Sequence, residues 1–275
     1  MNRECQEPEA WHGPRGPANG RPEMTPPSPP FHRDASLIPT ASEIASLVVG
    51  RRFGTEYQPV IELCSGATIG HEALSRFFDG HGRPVSPGPV FARLHDDPSL
   101  LLHVEAETKR FQVENAPGGP LYLNVDPDSF HAASDSSRSS LLDTIAGHAP
   151  GVVVEVIETV SMCDARRGRD MAAALRQRSI GIALDDVGAP DTLLSLEALR
   201  DADIVKLDAS WLARAADSRD RAVLEMLLAL ARRLDTRTIL EGIETPEQLA
   251  LARSLGVDAV QGFLFRERFR SRLAA

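Results

Sequence analysis

Hydrophobic positions from residue 120 onward alternate between two periods. Short apolar runs, typical of buried strands, are separated by longer stretches with apolar residues every three or four positions, typical of amphipathic helices. The predicted strands are Pro120–Val125, Val152–Ile157, Ile180–Asp185, Ile204–Leu207, Thr238–Leu240 and Ala259–Gly262. The predicted helices are Leu141–Gly147, Cys163–Arg178, Leu193–Leu199, Arg219–Leu234 and Pro246–Leu255. Strands and helices that alternate with short connections predict a parallel sheet with crossover helices.

The chain before residue 120 has a different pattern. Phe53–Leu63 and Thr68–Leu74 have the composition of strands and are separated by a short turn, which predicts a hairpin. Helical periodicity is found in Ala41–Val49, Val90–Leu94 and Ser99–Asn115. About seven regular parallel strands after the start of the hairpin favour a closed, TIM-like (β/α)8 barrel over an open doubly wound sheet. The Gly-rich fingerprints of dinucleotide-binding folds and P-loops do not occur, which argues against both.

The N-terminal segment differs in composition from the rest of the chain. Residues 1–38 are rich in Pro, Gly and charge, as in the run Pro-Pro-Ser-Pro-Pro at 26–30. Such a segment buries too little apolar surface to offset its chain entropy. We therefore predict a disordered segment over residues 1–38 and one α/β barrel domain over residues 39–275.

Charge and cysteine content restrict the partners and the compartment. The net charge of −9 argues against binding double-stranded nucleic acid through its phosphates. No apolar run approaches the roughly 18 residues of a membrane span, and the charged N-terminus lacks the apolar core of a secretory signal. The three cysteines are odd in number and far apart, so we expect free thiols and a cytoplasmic location.

Polar side chains stand at or near the C-terminal ends of most predicted strands. A barrel gathers such positions at its C-terminal mouth, so residues far apart in sequence should form one cluster. All of them except one lysine carry oxygen donors, which Mg²⁺, Mn²⁺ and Ca²⁺ prefer. The cluster comprises Glu72, Asn124, Glu155, Asp185, Asp186, Lys206, Glu241 and Gln261.

The adjacent carboxylates of Asp185 and Asp186 are ambiguous when taken alone. An Asp-Asp pair at a strand end is more often a solvated turn than a metal site. Neighbouring strand residues point to opposite faces, so the two cannot both belong to the core. Their place among the other strand-end residues favours a divalent-metal site.

The motifs around these residues resemble the EAL domain family of bacterial cyclic-di-GMP phosphodiesterases, over about residues 40–268. Each motif is weak alone, but their order and spacing are specific. The matching segments are Tyr57-Gln58-Pro59, Glu72-Ala73-Leu74 with Arg76, Asn124, Glu155-Val156-Ile157-Glu158, Asp185-Asp186-Val187-Gly188, Lys206-Leu207-Asp208, Glu241-Gly242-Ile243-Glu244-Thr245 and Gln261-Gly262.

The resemblance implies a barrel with one antiparallel strand, two Mg²⁺ or Mn²⁺ ions, and hydrolysis of cyclic-di-GMP to the linear dinucleotide pGpG. It also implies a homodimer as a potential assembly. The metal ligands would be Glu72, Asn124, Glu155, Asp185, Asp186 and Glu241. In the catalytic set, Lys206 would position the attacking water and Gln261 would help to hold that site, together with Glu72 and Glu241. Arg76 and Gln58 would contact substrate, and Glu158 and Glu244 would anchor a loop near the metals.

The chain departs from the family pattern after the Asp-Asp pair. The usual Phe-Gly-Thr-Gly-Tyr-Ser-Ser-Leu is Val-Gly-Ala-Pro-Asp-Thr-Leu-Leu at 187–194, and Ile157 replaces a Thr. Pro190 fixes its φ angle and lacks an N–H group. An alternative is therefore a degenerate EAL domain that binds cyclic-di-GMP or a protein partner without turnover. An unrelated metal enzyme on the same barrel is a third interpretation, because fold alone does not give function.

Overall fold

A computed structural model describes residues 40–133, 135–147, 151–157, 162–190 and 192–274. The predicted disordered segment, 1–38, lies outside these residues, as do Glu158 and Asp191. Within the described chain, no helix is long and apolar enough to cross a membrane.

Eight strands close into a barrel in the order β1-β2-β4-β5-β6-β7-β8-β9. Seven of them run parallel, and β1 is antiparallel to both of its neighbours in the ring, which confirms the predicted TIM-like barrel with one antiparallel strand. Two further strands, β3 and β10, extend the sheet outside the ring. The strands are β1 Phe53–Glu62, β2 Thr68–Phe78, β3 Pro84–Val85, β4 Leu121–Asn124, β5 Val152–Ile157, β6 Gly181–Val187, β7 Ile204–Leu207, β8 Arg237–Leu240, β9 Ala259–Val260 and β10 Arg270–Leu273.

The helices connect the strands and pack outside the barrel through their apolar faces. Several begin at a capping side chain. The last of them, Pro246–Leu255, begins with a proline, and Thr245 and Gln248 form a reciprocal capping box around it. They are α1 Ala41–Val49, α2 Pro87–Leu94, α3 Pro98–Glu114, α4 Pro127–Ala132, α5 Asp135–Gly147, α6 Met162–Arg176, α7 Leu196–Asp201, α8 Trp211–Arg214, α9 Ser218–Arg233 and α10 Pro246–Leu255, with a 3₁₀ helix at Phe263–Arg268.

A layer of small and apolar side chains fills the barrel interior and sets the height of the polar site. On a parallel strand the residue two positions further along lies on the same face and nearer the C-terminal mouth. Tyr122 is thus followed by Asn124, and Val153 by Glu155. On antiparallel β1 the direction is reversed. The interior layer comprises Val60, Tyr122, Val153, Ala183, Ile204, Ile239 and Ala259.

Two sequence predictions differ from the structure near the divergent loop. Strand β6 continues to Val187, two residues past its predicted end at Asp185, so Asp186 also lies within the strand. Helix α7 begins at Leu196 and not at Leu193, because the Ser195 side chain accepts a hydrogen bond from Ala198 N and caps the helix there. The leucine periodicity that suggested an earlier start includes Leu193, which is exposed.

The expectation of free thiols is wrong for Cys64. This exposed cysteine at the β1–β2 turn is disulfide-bonded, and its partner lies outside the described side chains. Spacing along the sequence does not reveal which thiols the fold brings together.

Candidate functional site

Each strand of the barrel, or the residue directly after it, contributes one polar side chain to a layer above the apolar interior. The register places Gln58 opposite Glu72, and Asn124 opposite Glu155, at the same height. The site residues that the sequence predicted therefore come together at the C-terminal mouth. The layer comprises Gln58, Glu72, Asn124, Glu155, Asp185, Lys206, Glu241 and Gln261.

The Lys206 ammonium lies at the centre of this layer and is almost fully buried, with 1% of the residue exposed. Four carboxylates surround it, and Nζ lies 2.6 Å from Glu155 Oε1 and 2.9 Å from Asp185 Oδ1. The distances to Glu241 Oε1 and Glu72 Oε2 are 2.8 and 3.4 Å. Burial disfavours the charged amine, but the carboxylates outweigh it and raise the pKa of Lys206 well above its usual value.

Two amides fix the orientation of the carboxylates. Asn124 Nδ2 donates to Glu72 Oε1 at 3.1 Å and to Glu155 Oε2 at 2.8 Å. Gln261 Nε2 donates to Glu72 Oε2 at 2.5 Å. Burial raises the pKa of Glu72, but Lys206 and these amide donors together bring it below its ordinary value.

The negative charge in the site exceeds what one lysine can neutralise. Burial and the neighbouring Glu72 carboxylate raise the pKa of Glu155 well above its usual value. Burial, reinforced by repulsion from Asp185, raises the pKa of Glu241 to about 8. Glu155 Oε1 and Asp185 Oδ1 accept no hydrogen bond from the described residues, although Lys206 is close to both. Buried carboxylate oxygens whose charge one ammonium does not neutralise fit a divalent cation.

A left-handed residue directs both aspartates toward the site. Asp186 has φ +53°, a conformation that Asp tolerates better than most residues, and the β6–β7 register shifts around it. Ligand oxygens of Asp185, Asp186 and Glu241 consequently lie within 4.8 Å of one another. Burial, with repulsion from Asp185, raises the pKa of Asp186 to about 6. Regular strand alternation would have separated the two aspartates.

The chain after Asp186 is held by α8 and its N-terminal flank, which the sequence analysis did not identify. Trp211 Nε1 donates to Val187 O at 2.8 Å, and Arg214 Nη1 donates to Gly188 O at 2.8 Å. The Arg214 guanidinium also stacks on the Trp211 ring, 4.1 Å from its centroid. A Trp-x-x-Arg spacing just after the Lys206 strand was a sequence signal for this support, since it places both side chains on one helical face.

Gly188 is required by this contact. It has φ +84°, and a Cβ atom would overlap the Trp211 indole. We expect Gly188→Ala to lower the free energy of unfolding by about 1–3 kcal/mol more than Gly82→Ala, because overpacking adds to the strain of a positive φ. Gly82 is the matched control, since it has φ +76° and open space around it. Urea unfolding of both variants measures the difference, and equal losses would show that the Trp211 contact is unimportant.

Of the two predicted substrate contacts, Gln58 belongs to the central layer and Arg76 lies beside it. Arg76 Nη2 donates to Glu56 Oε1 at 2.6 Å, and Gln58 Nε2 donates to the same oxygen at 3.1 Å. Arg76, Glu72 and Asn124 line a cavity of about 380 Å³ that opens between the barrel and helices α2 and α3. Its volume lies in the range of small-molecule sites.

The two predicted loop anchors have different outcomes. Glu158 lies outside the described residues. The Glu244 side chain is exposed, and its backbone N–H donates to Gln248 Oε1 at 2.7 Å. Within the described chain its side chain makes no hydrogen bond or ion pair with residues 187–195, so its anchoring role stays a prediction.

Comparison with known proteins identifies the family to which this barrel belongs. The pattern of the EAL domain matches residues 42–268. A probable cyclic di-GMP phosphodiesterase of Escherichia coli, PdeN, is 26% identical over 80% of this chain and 44% of its own length. The cyclic di-GMP phosphodiesterase RocR of Pseudomonas aeruginosa is 26% identical over 86% of this chain and 62% of its own length. The chain thus spans less than two thirds of these curated relatives.

Structural comparison agrees on the fold. The FimX EAL domain from Pseudomonas aeruginosa, solved bound to c-di-GMP, superposes with a TM-score of 0.69 at 18% identity. The match covers 81% of this chain and 93% of that domain. The barrel, the order of the motifs and the family match lead to one conclusion: the chain belongs to the EAL domain family.

Proposed function

We propose that the protein is a metal-dependent phosphodiesterase that hydrolyses one phosphodiester of cyclic-di-GMP and releases the linear dinucleotide pGpG. The observation that carries this proposal is the ring of carboxylates and amides around Lys206 at the barrel mouth. This ring contains the residues proposed to bind the metal ions. The relatives named as cyclic di-GMP phosphodiesterases support the choice of substrate.

Two Mg²⁺ or Mn²⁺ ions would be held by the oxygen donors of the site. The donor set contains no sulfur and no imidazole, which suits these hard cations. When bound, such ions lower the pKa of a coordinated water and offset the negative charge of the phosphodiester. The ligands would be Glu72, Asn124, Glu155, Asp185, Asp186 and Glu241.

The remaining site residues would bind and orient the reactants. The Lys206 ammonium, held by several carboxylates, would donate a hydrogen bond to the attacking water. Gln261 holds Glu72 in position through its amide. Arg76 would pair with a substrate phosphate, as guanidinium groups commonly do, and Gln58 lies beside it.

A direct assay tests this function. The purified protein is incubated with cyclic-di-GMP and Mn²⁺, and the nucleotides are separated by chromatography. Formation of pGpG is the expected result, and a titration with Ca²⁺ in place of Mn²⁺ measures binding alongside. Failure to form any linear product while cyclic-di-GMP still binds would contradict catalysis and favour the second candidate.

The second candidate is a cyclic-di-GMP receptor without turnover, and the loop after β6 supports it. Pro190 lacks an N–H group, and the segment 192–195 has no regular structure. The aspartate that precedes this loop belongs to the proposed metal site. A displaced loop would therefore reduce metal affinity while leaving most of the nucleotide pocket intact.

Restoring the usual family loop distinguishes slow catalysis from none. The variant carries Val187→Phe, Ala189→Thr, Pro190→Gly, Asp191→Tyr, Thr192→Ser and Leu193→Ser, together with Ile157→Thr. We expect faster turnover at a lower Mn²⁺ concentration, by about 10–100-fold, the usual effect of residues that support metal ligands. Turnover is measured against Mn²⁺ for both proteins. Unchanged curves would show that the loop does not limit activity.

A homodimer in the cytoplasm is the assembly and location that we propose. Leu193, in the divergent loop, and Leu196, at the start of α7, are both exposed, and exposed apolar side chains favour an interface. Sedimentation of the wild type against Leu196→Ser tests the assembly, and a monomeric wild type would contradict it.

A further inference from the structure

Helix α3 carries a buried polar face, which is unusual for a helix that packs against a barrel. The polar residues on this face are Glu105, Thr108, Lys109 and Gln112. Three of them are bonded: Glu105 accepts from Asp126 N at 3.0 Å, Thr108 donates to Val104 O at 2.8 Å, and Gln112 donates to Ala73 O at 3.1 Å. Lys109 differs from the others.

Lys109 is 2% exposed and lines the 380 Å³ cavity beside the metal-ligand layer. Within the described chain it has neither a direct ion pair nor a hydrogen bond, in contrast to Lys206 with its four carboxylates. Burial lowers the pKa of Lys109, and the charges of Glu105 and Glu155 partly offset this effect. A buried ammonium without a direct partner is costly, so a ligand acceptor would complete it.

The cavity walls indicate what kind of ligand group reaches Lys109. The apolar rings of Pro87 and Phe91 form one part of the cavity lining. The carboxylates of Glu105 and Asp126 lie near Lys109, and His95 Nε2 pairs with Asp126 Oδ2 at 2.8 Å. A phosphate placed here would face several carboxylates. A neutral, flat group that offers both donors and acceptors fits better.

Guanine has this combination of groups. Its N7 and O6 atoms accept hydrogen bonds, while its N1–H and amino group donate them. The carboxylates of Glu105 and Asp126 could accept from the N1–H and amino groups of the base, because a carboxylate oxygen that already accepts one hydrogen bond can accept a second. We infer that Lys109 donates to the O6 and N7 edge of a guanine base in this cavity and selects guanine over adenine. The inference rests on the proposed function for the identity of the dinucleotide and adds a residue that determines base specificity.

Adenine would be disfavoured by the same lysine. Its amino group at position 6 is a donor and would oppose the ammonium. A hydrogen bond to a charged group contributes about 1.5–3 kcal/mol, which corresponds to about a 10–100-fold difference in affinity. The selectivity between the two bases should therefore depend on residue 109.

The test measures the affinities of the full chain for cyclic-di-GMP and cyclic-di-AMP in Ca²⁺. Lys109→Met removes the donor and keeps the side-chain volume, while Lys109→Gln keeps a neutral donor. Arg110→Met is the matched control, because it removes a charge from the exposed face of the same helix. Thermal unfolding checks that each variant folds.

We expect Lys109→Met to weaken cyclic-di-GMP binding about 10-fold or more, with little effect on cyclic-di-AMP. Lys109→Gln should keep part of the guanine preference, and Arg110→Met should keep all of it. Equal losses for both nucleotides would overturn base selection and assign Lys109 to the shared phosphates. No change on Lys109→Met, with tight binding by the wild type, would overturn the inference alone. A wild type that binds neither nucleotide would overturn the proposed function as well.

Discussion

Glu72→Gln should nearly abolish cyclic-di-GMP hydrolysis while the barrel stays folded. Three groups donate to this carboxylate: Asn124, Gln261 and Lys206. A glutamine amide has the same shape, but one of its ends is a donor and would oppose one of these partners. It also removes a formal charge from the proposed metal site. We expect the rate of hydrolysis to fall at least about 100-fold. Residues that only hydrogen-bond to metal ligands typically have a smaller effect, of about 10–100-fold.

The measurement is pGpG formation as a function of Mn²⁺ concentration. Glu225→Gln is the control, because it makes the same chemical change on the exposed face of α9. The variant should show a higher Mn²⁺ requirement and unchanged far-ultraviolet circular dichroism. Cleavage by Glu72→Gln at the wild-type rate would show that the metal assignment is wrong.

Lys206→Met should have the second largest effect, and its size should depend on divalent cations. Without metal, the variant leaves the carboxylates around position 206 without their buried cation. Breaking a buried ion pair by removing one partner costs about 3–5 kcal/mol. Bound cations would replace the lost charge and stabilise the folded state by mass action. The stability difference from the wild type should therefore shrink when Mn²⁺ is added.

Chemical unfolding with and without Mn²⁺ measures this dependence, and kinetics separates the catalytic role. Turnover should fall much more than nucleotide affinity, because Lys206 is proposed to orient the water and not the substrate. Arg221→Met is the control, because it removes an exposed cation on α9, outside the central layer. An equal loss of turnover and affinity in Lys206→Met would assign the lysine to substrate binding or structure.

The hydrophobic pattern sufficed for the parallel part of the barrel because each strand there is a short apolar run. Val152–Ile157 was predicted with its observed bounds. The same reasoning missed β10, whose four residues are all exposed and which pairs with β1 through its backbone. It also placed the start of α5 too late, since the first turns of that helix are polar. A method that depends on apolar periodicity does not detect polar elements.

The sequence by itself determined which residues form the polar layer. Side chains two residues apart on a strand lie on the same face, so each polar residue lies directly above a small or apolar residue of the barrel interior. Only the tertiary structure decided how the layer is used. The left-handed backbone of Asp186 directs both aspartates to one cluster, against the alternation that the sequence predicts. Trp211 and Arg214 hold the loop through contacts across more than 20 residues, and Lys109 reaches the cavity with no ion pair or hydrogen bond among the described residues. Such contacts depend on backbone conformation and long-range packing, which local sequence patterns do not encode.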